Sequence, residues 1–403
     1  MTTECAARRS VSVAQVYTRY DALTHPYLHT SEKYLRRCGV HLHVFSRAMK
    51  TSANGDAQQL ACHSAARKLA RLGVWLLKNP IETAKFLVNS GPRRIRARIG
   101  LWADTDALRI VKADVVHLMN WPMYIFLREY LAHTGTPFVL SLRGYETLYG
   151  LAENAAWRAF AGEAFERSAA IHSVSNFLAE AAIQCGAPRE KVVVIRPSVD
   201  LELFGAMTPI ATADTLNIAT TCRLTWEKGI EVALLVVKEL RKRGVSVRYH
   251  LIGDGTAACA LQTWSKRLGL GESIVFHGEQ PTAVVKQILR QCHIYLHPAV
   301  SEAFGVALVE AAATGIPCVA ARVEGIPEVV IDGETGILCE FGDITGFADA
   351  LERLWANEHR RYEMGLRARE WAEREFSGER EAMEWLELYT SIAERARLIR
   401  NQM

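Results

Sequence analysis

The chain has 403 residues, a formal net charge of +4, 49% hydrophobic residues and nine cysteines. That length exceeds what one hydrophobic core serves and predicts two domains of roughly 150 to 200 residues. No run reaches the roughly 18 apolar residues of a membrane-spanning helix, and the first twenty residues lack the apolar core of a signal peptide. Dispersed cysteines without a Cys-x-x-Cys pair fit a reducing compartment and argue against a disulfide framework or a structural zinc site.

In chain order, a strand is predicted over 11–17 and a helix over 26–37, broken by Gly39 before a strand over 40–45. Residues 51–100 read as helical and basic. Between Arg67 and Arg98 there are nine Lys or Arg residues and one acid, Glu82. A strand in VKADVVHLMN, a helix over 124–133 and a strand in TGTPFVLSLRGYE follow. After them come a helix over 153–168, a strand over 170–173, a helix over 176–185 and the strand of KVVVIRPSVD. Residues 203–214 read as an interdomain connection. The alternation then restarts with LNIATTCRL, a helix over 229–243, VRYHLIGDG, a helix over 258–268, SIVFHG, a helix over 282–291, HIYLHP and CVAAR. Helices are expected from Ile344 to the end.

This order predicts an α/β chain of two open, mostly parallel sheets covered on both faces. The expected division is 1–205, carrying a basic helical insertion over about 51–100, then 215–375, then a helical tail over 376–403 that packs back on the first domain. Ligands of such sheets bind beyond the carboxyl ends of the strands, so two sheets joined by a hinge place the crevice between domains. No Gly-x-Gly-x-x-Gly follows the first strand, which disfavours a hydride-transferring dinucleotide enzyme.

Four segments of the second half carry chemistry. In RLTWEKG, Arg223 and Lys228 stand beyond a strand end with Gly229 next to them, a plausible pyrophosphate clamp or simply a solvated loop pair. The Gly253–Gly255 turn is weak alone. In SEAFGVALVE, Glu302 and Glu310 have seven residues between them, with Phe304 and Gly305 near a helix start. N–H groups there suit phosphate and the carboxylates suit hydroxyls, although a carboxylate near a helix start is also an ordinary cap. GIPE, ending in Glu328, is expected to add a further acid beside them. His293 and His297 are four apart in a strand-like run, where packed or hydrogen-bonded histidines are expected rather than metal ligands.

As a set, RLTWEKG, GDG, SEAFGVALVEAAATGIPCVA and EGIPEVVIDGETGILCEFGD resemble the retaining GT-B glycosyltransferases of family 4, also called glycosyl transferases group 1. VSNFLAEAAIQCGAPREKVVVIRPSVDLELF extends the resemblance towards the hinge, so that it covers about residues 110–390. It implies two Rossmann-like domains with parallel sheets facing across a central cleft. It implies a nucleotide-sugar donor, a UDP- or GDP-sugar, as cosubstrate, with no tightly bound cofactor and no obligatory metal. Arg223 and Lys228 would hold the donor pyrophosphate, and Glu302 with the N–H groups around Phe304 and Gly305 would hold the sugar. Glu310 would accept from the ribose hydroxyls, and Gly253 would line the donor site.

The N-terminal half departs from the family pattern. The loop after the first strand offers His25, His29, Ser31 and Glu32 for acceptor contact in place of a glycine pair. Arg143 stands where many members place a histidine and is a candidate for donor phosphate or an anionic acceptor, or for an ion pair with Glu146. His117 matches a common family histidine or lines the core, and Ser198 stands where a glycine is usual. The expected acceptor is a glycan or lipid-linked glycan in surface or exopolysaccharide assembly. The basic, apolar stretch 67–98 is expected to meet an anionic membrane surface, peripheral to the inner face of the cell membrane in the cytoplasm. A solvated helical hairpin is the alternative, and nucleic acid is disfavoured for want of interleaved aromatics. The rival functions are a sugar-nucleotide epimerase or hydrolase of the same architecture, and a non-catalytic sugar-nucleotide or glycan-binding protein.

Overall fold

The computed structural model describes residues 11–20, 26–49, 57–59, 105–144, 150–205 and 214–402. Two wholly parallel sheets organise them. The first holds β1 (Ser12–Tyr20), β2 (His41–Met49), β3 (Ala57–Gln59), β4 (Val115–Leu118), β5 (Phe138–Leu142), β6 (Ala170–Ser173) and β7 (Val192–Val194), in the spatial order 3-2-1-4-5-6-7. The second holds β8 (Leu216–Thr221), β9 (Val247–Ile252), β10 (Ile274–Gly278), β11 (Ile294–His297), β12 (Cys318–Ala321) and β13 (Gly336–Cys339), in the order 10-9-8-11-12-13. Winding reverses between β1 and β4 and between β8 and β11. Those are the points where a doubly wound sheet opens a crevice at its carboxyl edge.

The central strands are apolar on both faces because helices cover both. Val13, Ala14 and Val16 in β1 and Ile294, Tyr295 and Leu296 in β11 are fully buried. The helices follow a 3.6-residue period. In Ile230–Lys242, residues Ile230, Ala233, Leu234, Val237 and Leu240 face the sheet, while Glu231, Lys238 and Arg241 fall between them. Side chains cap several starts: Asn154 accepts from the Trp157 N–H, Ser175 from the Leu178 N–H and Asp343 from the Gly346 N–H.

Some expectations change. The helix over 26–37 and the strand over 170–173 lie where the sequence places them. β1 and β2 run past 17 and 45, because they pair in register from Ser12–His41 through Tyr20–Met49. Within 51–100, read as helical, Ala57–Gln59 instead forms an edge strand on β2. The basic stretch 67–98 lies outside the described residues, as do His25 and Glu146.

The last helix, Gly378–Gln402, leaves the second sheet and lies on the first. Its Trp385, Leu386, Tyr389, Ile392 and Ala393 share one core with Val13, Tyr17, Leu35 and Val115. A bridge between Val199 and Ser377, with the Val199 N–H donating to Phe376 O at 3.2 Å, marks where the chain crosses. No described helix is long and apolar enough to cross a membrane.

Candidate active site

The site forms where β8, β9 and β11 end together. Gly253 follows β9 at φ +134°, and a Cβ there would run into the Cys222 carbonyl, so the two strand ends approach closely only with glycine. Beyond β8, residues Trp226–Lys228 make one turn of 3-10 helix, closed by Gly229 at φ +62° against the Pro298 carbonyl. The Lys228 side chain is thereby turned inward, only 15% exposed, while Arg223 remains 66% exposed with Glu227 Oε1 at 4.0 Å.

Lys228 Nζ donates to Glu302 Oε2 at 2.8 Å, and His297 Nε2, at the end of β11, stands 3.3 Å from the same oxygen. Burial by itself raises the Glu302 carboxyl, yet the Lys228 ammonium and His297 hold it well below the usual carboxylate range. Burial likewise opposes charge on Lys228, and Glu302 overrides it, so its ammonium titrates above the ordinary lysine value. Both directions describe a nearly buried ion pair that stays ionised. The helix Val306–Ala313 begins beside it on Gly305 (φ +99°), with no side-chain cap among the described residues. Its first N–H groups therefore remain available to an anion, and the helix dipole favours one there. Phe304 is buried, edge-on to Phe376 at 5.6 Å, and anchors this turn.

Glu310 sits one turn into that helix, and the structure treats it in the opposite way. It is buried, and desolvation pushes its carboxyl up to about 7. No hydrogen bond or ion pair holds its carboxylate among the described residues. It forms part of the wall of a cavity of about 270 Å³, with Thr282 on its own side and Tyr27, His29, Thr30 and Lys33 on the other. The chain near the hinge, Val199, Asp200, Leu203 and Phe204, lines the rest of this cavity. The cleft between the two sheets thus contains a carboxyl group poised near neutrality.

Residues 213–371 match the family described as "Glycosyl transferases group 1", and residues 26–203 match "Glycosyltransferase Family 4". The chain belongs to the family 4 glycosyltransferases.

Its two facing sheets form the GT-B fold. The crystal structure of Anabaena Alr3699/HepE in complex with UDP matches with a TM-score of 0.71 at 16% identity, covering 94% of this chain and 100% of that one. The amylovoran biosynthesis glycosyltransferase AmsK of Erwinia amylovora is 31% identical over 219 residues, 53% of this chain and 54% of that protein. The N-acetyl-alpha-D-glucosaminyl L-malate synthase of Bacillus anthracis is 36% identical over 148 residues, 37% of this chain and 38% of that protein. The chain spans about half the length, or less, of the curated relatives it matches.

On the N-terminal rim of this family 4 glycosyltransferase the expected residues separate. His117 is fully buried in a chain of hydrogen bonds. His172 Nε2 lies 2.9 Å from the Ile195 carbonyl, which can only accept, so His172 donates there. Its Nδ1 must then accept from Ser141 Oγ at 2.7 Å. Ser141 in turn accepts from His117 Nε2 at 2.7 Å, and His117 Nδ1 accepts from the Tyr389 hydroxyl at 2.6 Å. Both rings are neutral. Burial drives His172 down to about 3 and His117 well below the ordinary imidazole value. His117 therefore belongs to the core. Ser31 and Glu32 are buried too, with the Tyr17 hydroxyl donating to Glu32 Oε1 at 2.9 Å, whereas His29 reaches the cavity. Arg143 stands 5.8 Å over the Tyr27 ring, and its buried Nε has no hydrogen-bond partner among the described residues.

Glu328 corrects the sequence reading. Its carboxylate is engaged at a helix start of the other domain, accepting from the Asn176 and Phe177 N–H groups at 3.0 and 2.8 Å and from Arg196 at 3.1 Å. Ser198 is spent on Glu381, a buried carboxylate of the last helix. The sequence expects His293 and His297 to be packed or hydrogen-bonded, and both are placed so. What it does not indicate is the partner of His297, because the contact with Glu302 crosses a loop that periodicity cannot describe, while His293 accepts from the Asn217 N–H at 3.0 Å. Among the described residues no group of three or more His, Cys, Asp or Glu is placed to hold a metal ion. The chain has one Asp-any-Asp triplet, Asp104–Asp106, and Asp104 lies outside the described residues.

Proposed function

We propose that this protein is a retaining glycosyltransferase that moves a sugar from a UDP- or GDP-sugar to a glycan or lipid-linked glycan. The observation that carries this reading is the charged pair Lys228–Glu302 beside the uncapped start of Val306–Ala313, with the carboxyl of Glu310 in the cleft wall. Arg223, Lys228 and the helix N–H groups would take the pyrophosphate, and Gly253 would let it approach the strand ends. Glu302, with the backbone at Phe304 and Gly305, would hold the sugar. Glu310 would take the ribose hydroxyls and lose its proton as they bind. UDP in the Anabaena structure and the polysaccharide role named for AmsK support a nucleotide-sugar donor and a surface or exopolysaccharide product.

In this reading the bond from anomeric carbon to phosphate oxygen breaks as the acceptor hydroxyl attacks from the same face. The acceptor proton passes to the leaving phosphate, so no protein nucleophile is needed. The chain's contribution is a fixed positive environment for charge that grows on the phosphate. Arg143 would meet donor phosphate or an anionic acceptor from the opposite domain. The stretch 67–98 would rest on anionic lipid, and replacing its nine basic residues by Gln should abolish co-sedimentation with phosphatidylglycerol vesicles.

The deciding experiment measures donor hydrolysis and transfer over UDP-glucose, UDP-N-acetylglucosamine and GDP-mannose, with and without a lipid-linked acceptor. Acceptor-dependent formation of a glycosidic bond supports a transferase. Donor conversion that ignores acceptor supports the epimerase or hydrolase, and tight binding without turnover supports a binding protein. Glu310→Ala should raise donor KM about tenfold or more, because a paired hydroxyl–carboxylate contact is lost. Unchanged kinetics with every donor would remove Glu310 from the site.

A further inference from the structure

We propose that Glu324 is a positioning residue for Glu302, holding it in place through the loop that joins β11 to Val306–Ala313; the inference rests on the donor-site reading above. Glu324 adopts φ +45°, and among the described residues only Lys112 is another non-glycine with positive φ. Lys112 ends a short helix, where a left-handed residue is an ordinary stop. Glu324 ends no helix. It lies in the turn after β12, where a left-handed glutamate is strained and a glycine would not be.

The side chain explains why the strain is tolerated. Glu324 Oε2 accepts from the Glu302 N–H at 2.8 Å and from Ser301 Oγ at 2.8 Å. The next residue completes the grip, because the Gly325 N–H donates to the Glu302 carbonyl at 3.0 Å. Both backbone polar groups of Glu302 are thus held by two consecutive residues from a different strand end. Gly325 must be glycine for this approach, since a Cβ there would strike the Ala303 carbonyl. Among the described residues the Glu324 carboxylate makes no ion pair, so its described contacts serve only this loop. The Glu302 side chain is fixed separately by Lys228 and His297. Loss of Glu324 frees the backbone from which Glu302 projects, while the Lys228 contact remains to keep the fold.

The test compares Glu324→Ala, Glu324→Gln and Glu324→Gly with the wild type. Three quantities are read for each: donor hydrolysis kinetics, affinity for free UDP or GDP (whichever donor turns over), and Tm. Expected is a kcat for Ala and Gly at least tenfold below wild type, with nucleoside diphosphate affinity within twofold. Gln should recover at least half of kcat, because its amide oxygen accepts the same two hydrogen bonds. Gly should lose activity without losing Tm, since it relieves the left-handed strain while deleting the contact. Activity within twofold of wild type in all three variants would overturn the proposal. So would Gln performing no better than Ala, or activity falling in proportion to Tm and nucleotide affinity together. A wild type that turns over no sugar nucleotide would overturn the donor-site reading, and this inference with it. An active wild type with unaffected variants overturns this inference alone.

Discussion

At the carboxyl rim of the first sheet, His117 and His172 are buried and kept neutral by a one-way chain of hydrogen bonds from Tyr389 to the Ile195 carbonyl. At the equivalent rim of the second sheet, Lys228 and Glu302 are almost as buried and are kept charged by each other. The winding is alike on both sides and only the treatment of charge differs. A neutral rim can be dry and stiff at no electrostatic cost, whereas a charged rim survives burial only while each charge has its partner. The contrast places the pre-formed electrostatic field on the side of the second sheet. Arg143 is the exception that crosses it, a guanidinium on the neutral side that stands over the Tyr27 ring and whose charge also acts on the buried Glu381 carboxyl.

The largest break in this contrast should come from Lys228→Ala. Glu302 would then be a buried charge with only His297 beside it, and urea unfolding should show a loss of about 3–5 kcal/mol. Adding Glu302→Gln should restore most of that loss, and no recovery would mean the pair is not what stabilises the rim. Glu310→Gln comes next and has the opposite sign. Its folded carboxyl titrates at about 7 against an ordinary 4.5, so burial costs nothing below pH 4.5 and its full penalty above pH 7. The variant should be more stable than wild type by about 3 kcal/mol at pH 8 and equal to it near pH 4.5. A constant difference across that range would show that Glu310 does not titrate as described.

His172 supplies a smaller, acid-side effect. Its folded value of about 3 lies below the ordinary 6.5, so wild-type stability is complete above pH 6.5 and is lost as pH falls towards 3. His172→Gln keeps a donor for Ile195 and should lessen the drop between pH 6.5 and 4.5 by about 2 kcal/mol, followed by circular dichroism. The smallest effect sharpens the contrast where it crosses domains. Arg143→Ala should lower acceptor-dependent transfer about tenfold, near 1.4 kcal/mol, and leave donor hydrolysis unchanged. Equal losses in both assays would assign Arg143 to the donor.

The parts of the site legible in the sequence are those whose spacing is local. Lys228 follows Arg223 by one turn, and Gly305 starts the helix between Glu302 and Glu310, so RLTWEKG and SEAFGVALVE describe them directly. Glu324 was not legible, because neither its left-handed backbone nor its reach back to Glu302 leaves a periodic trace. Glu328 was misplaced for a related reason. Following a strand fixes which end of the sheet a turn occupies, and it does not fix which domain its side chain grips. The edge strand Ala57–Gln59 escaped because three residues are held by β2 pairing rather than by a pattern of their own. For His117 the sequence leaves two readings, a family histidine or a core residue, and its buried hydrogen bonds bear out the second.

The return of the final helix has a consequence for synthesis. Trp385, Tyr389 and Ile392 complete the core that Val13, Tyr17 and Leu35 begin, so the first domain lacks part of its interior until these residues, which follow the second domain, have been made. During translation that apolar surface, together with the His117 Nδ1 that Tyr389 will meet, lacks its partner while the whole second domain is synthesised, a period of about 10 to 40 seconds at ordinary elongation rates. The second domain can close its own core around Val236, Leu251 and Phe347 before that moment. The second half can thus complete its interior before the first half does, although it is made later.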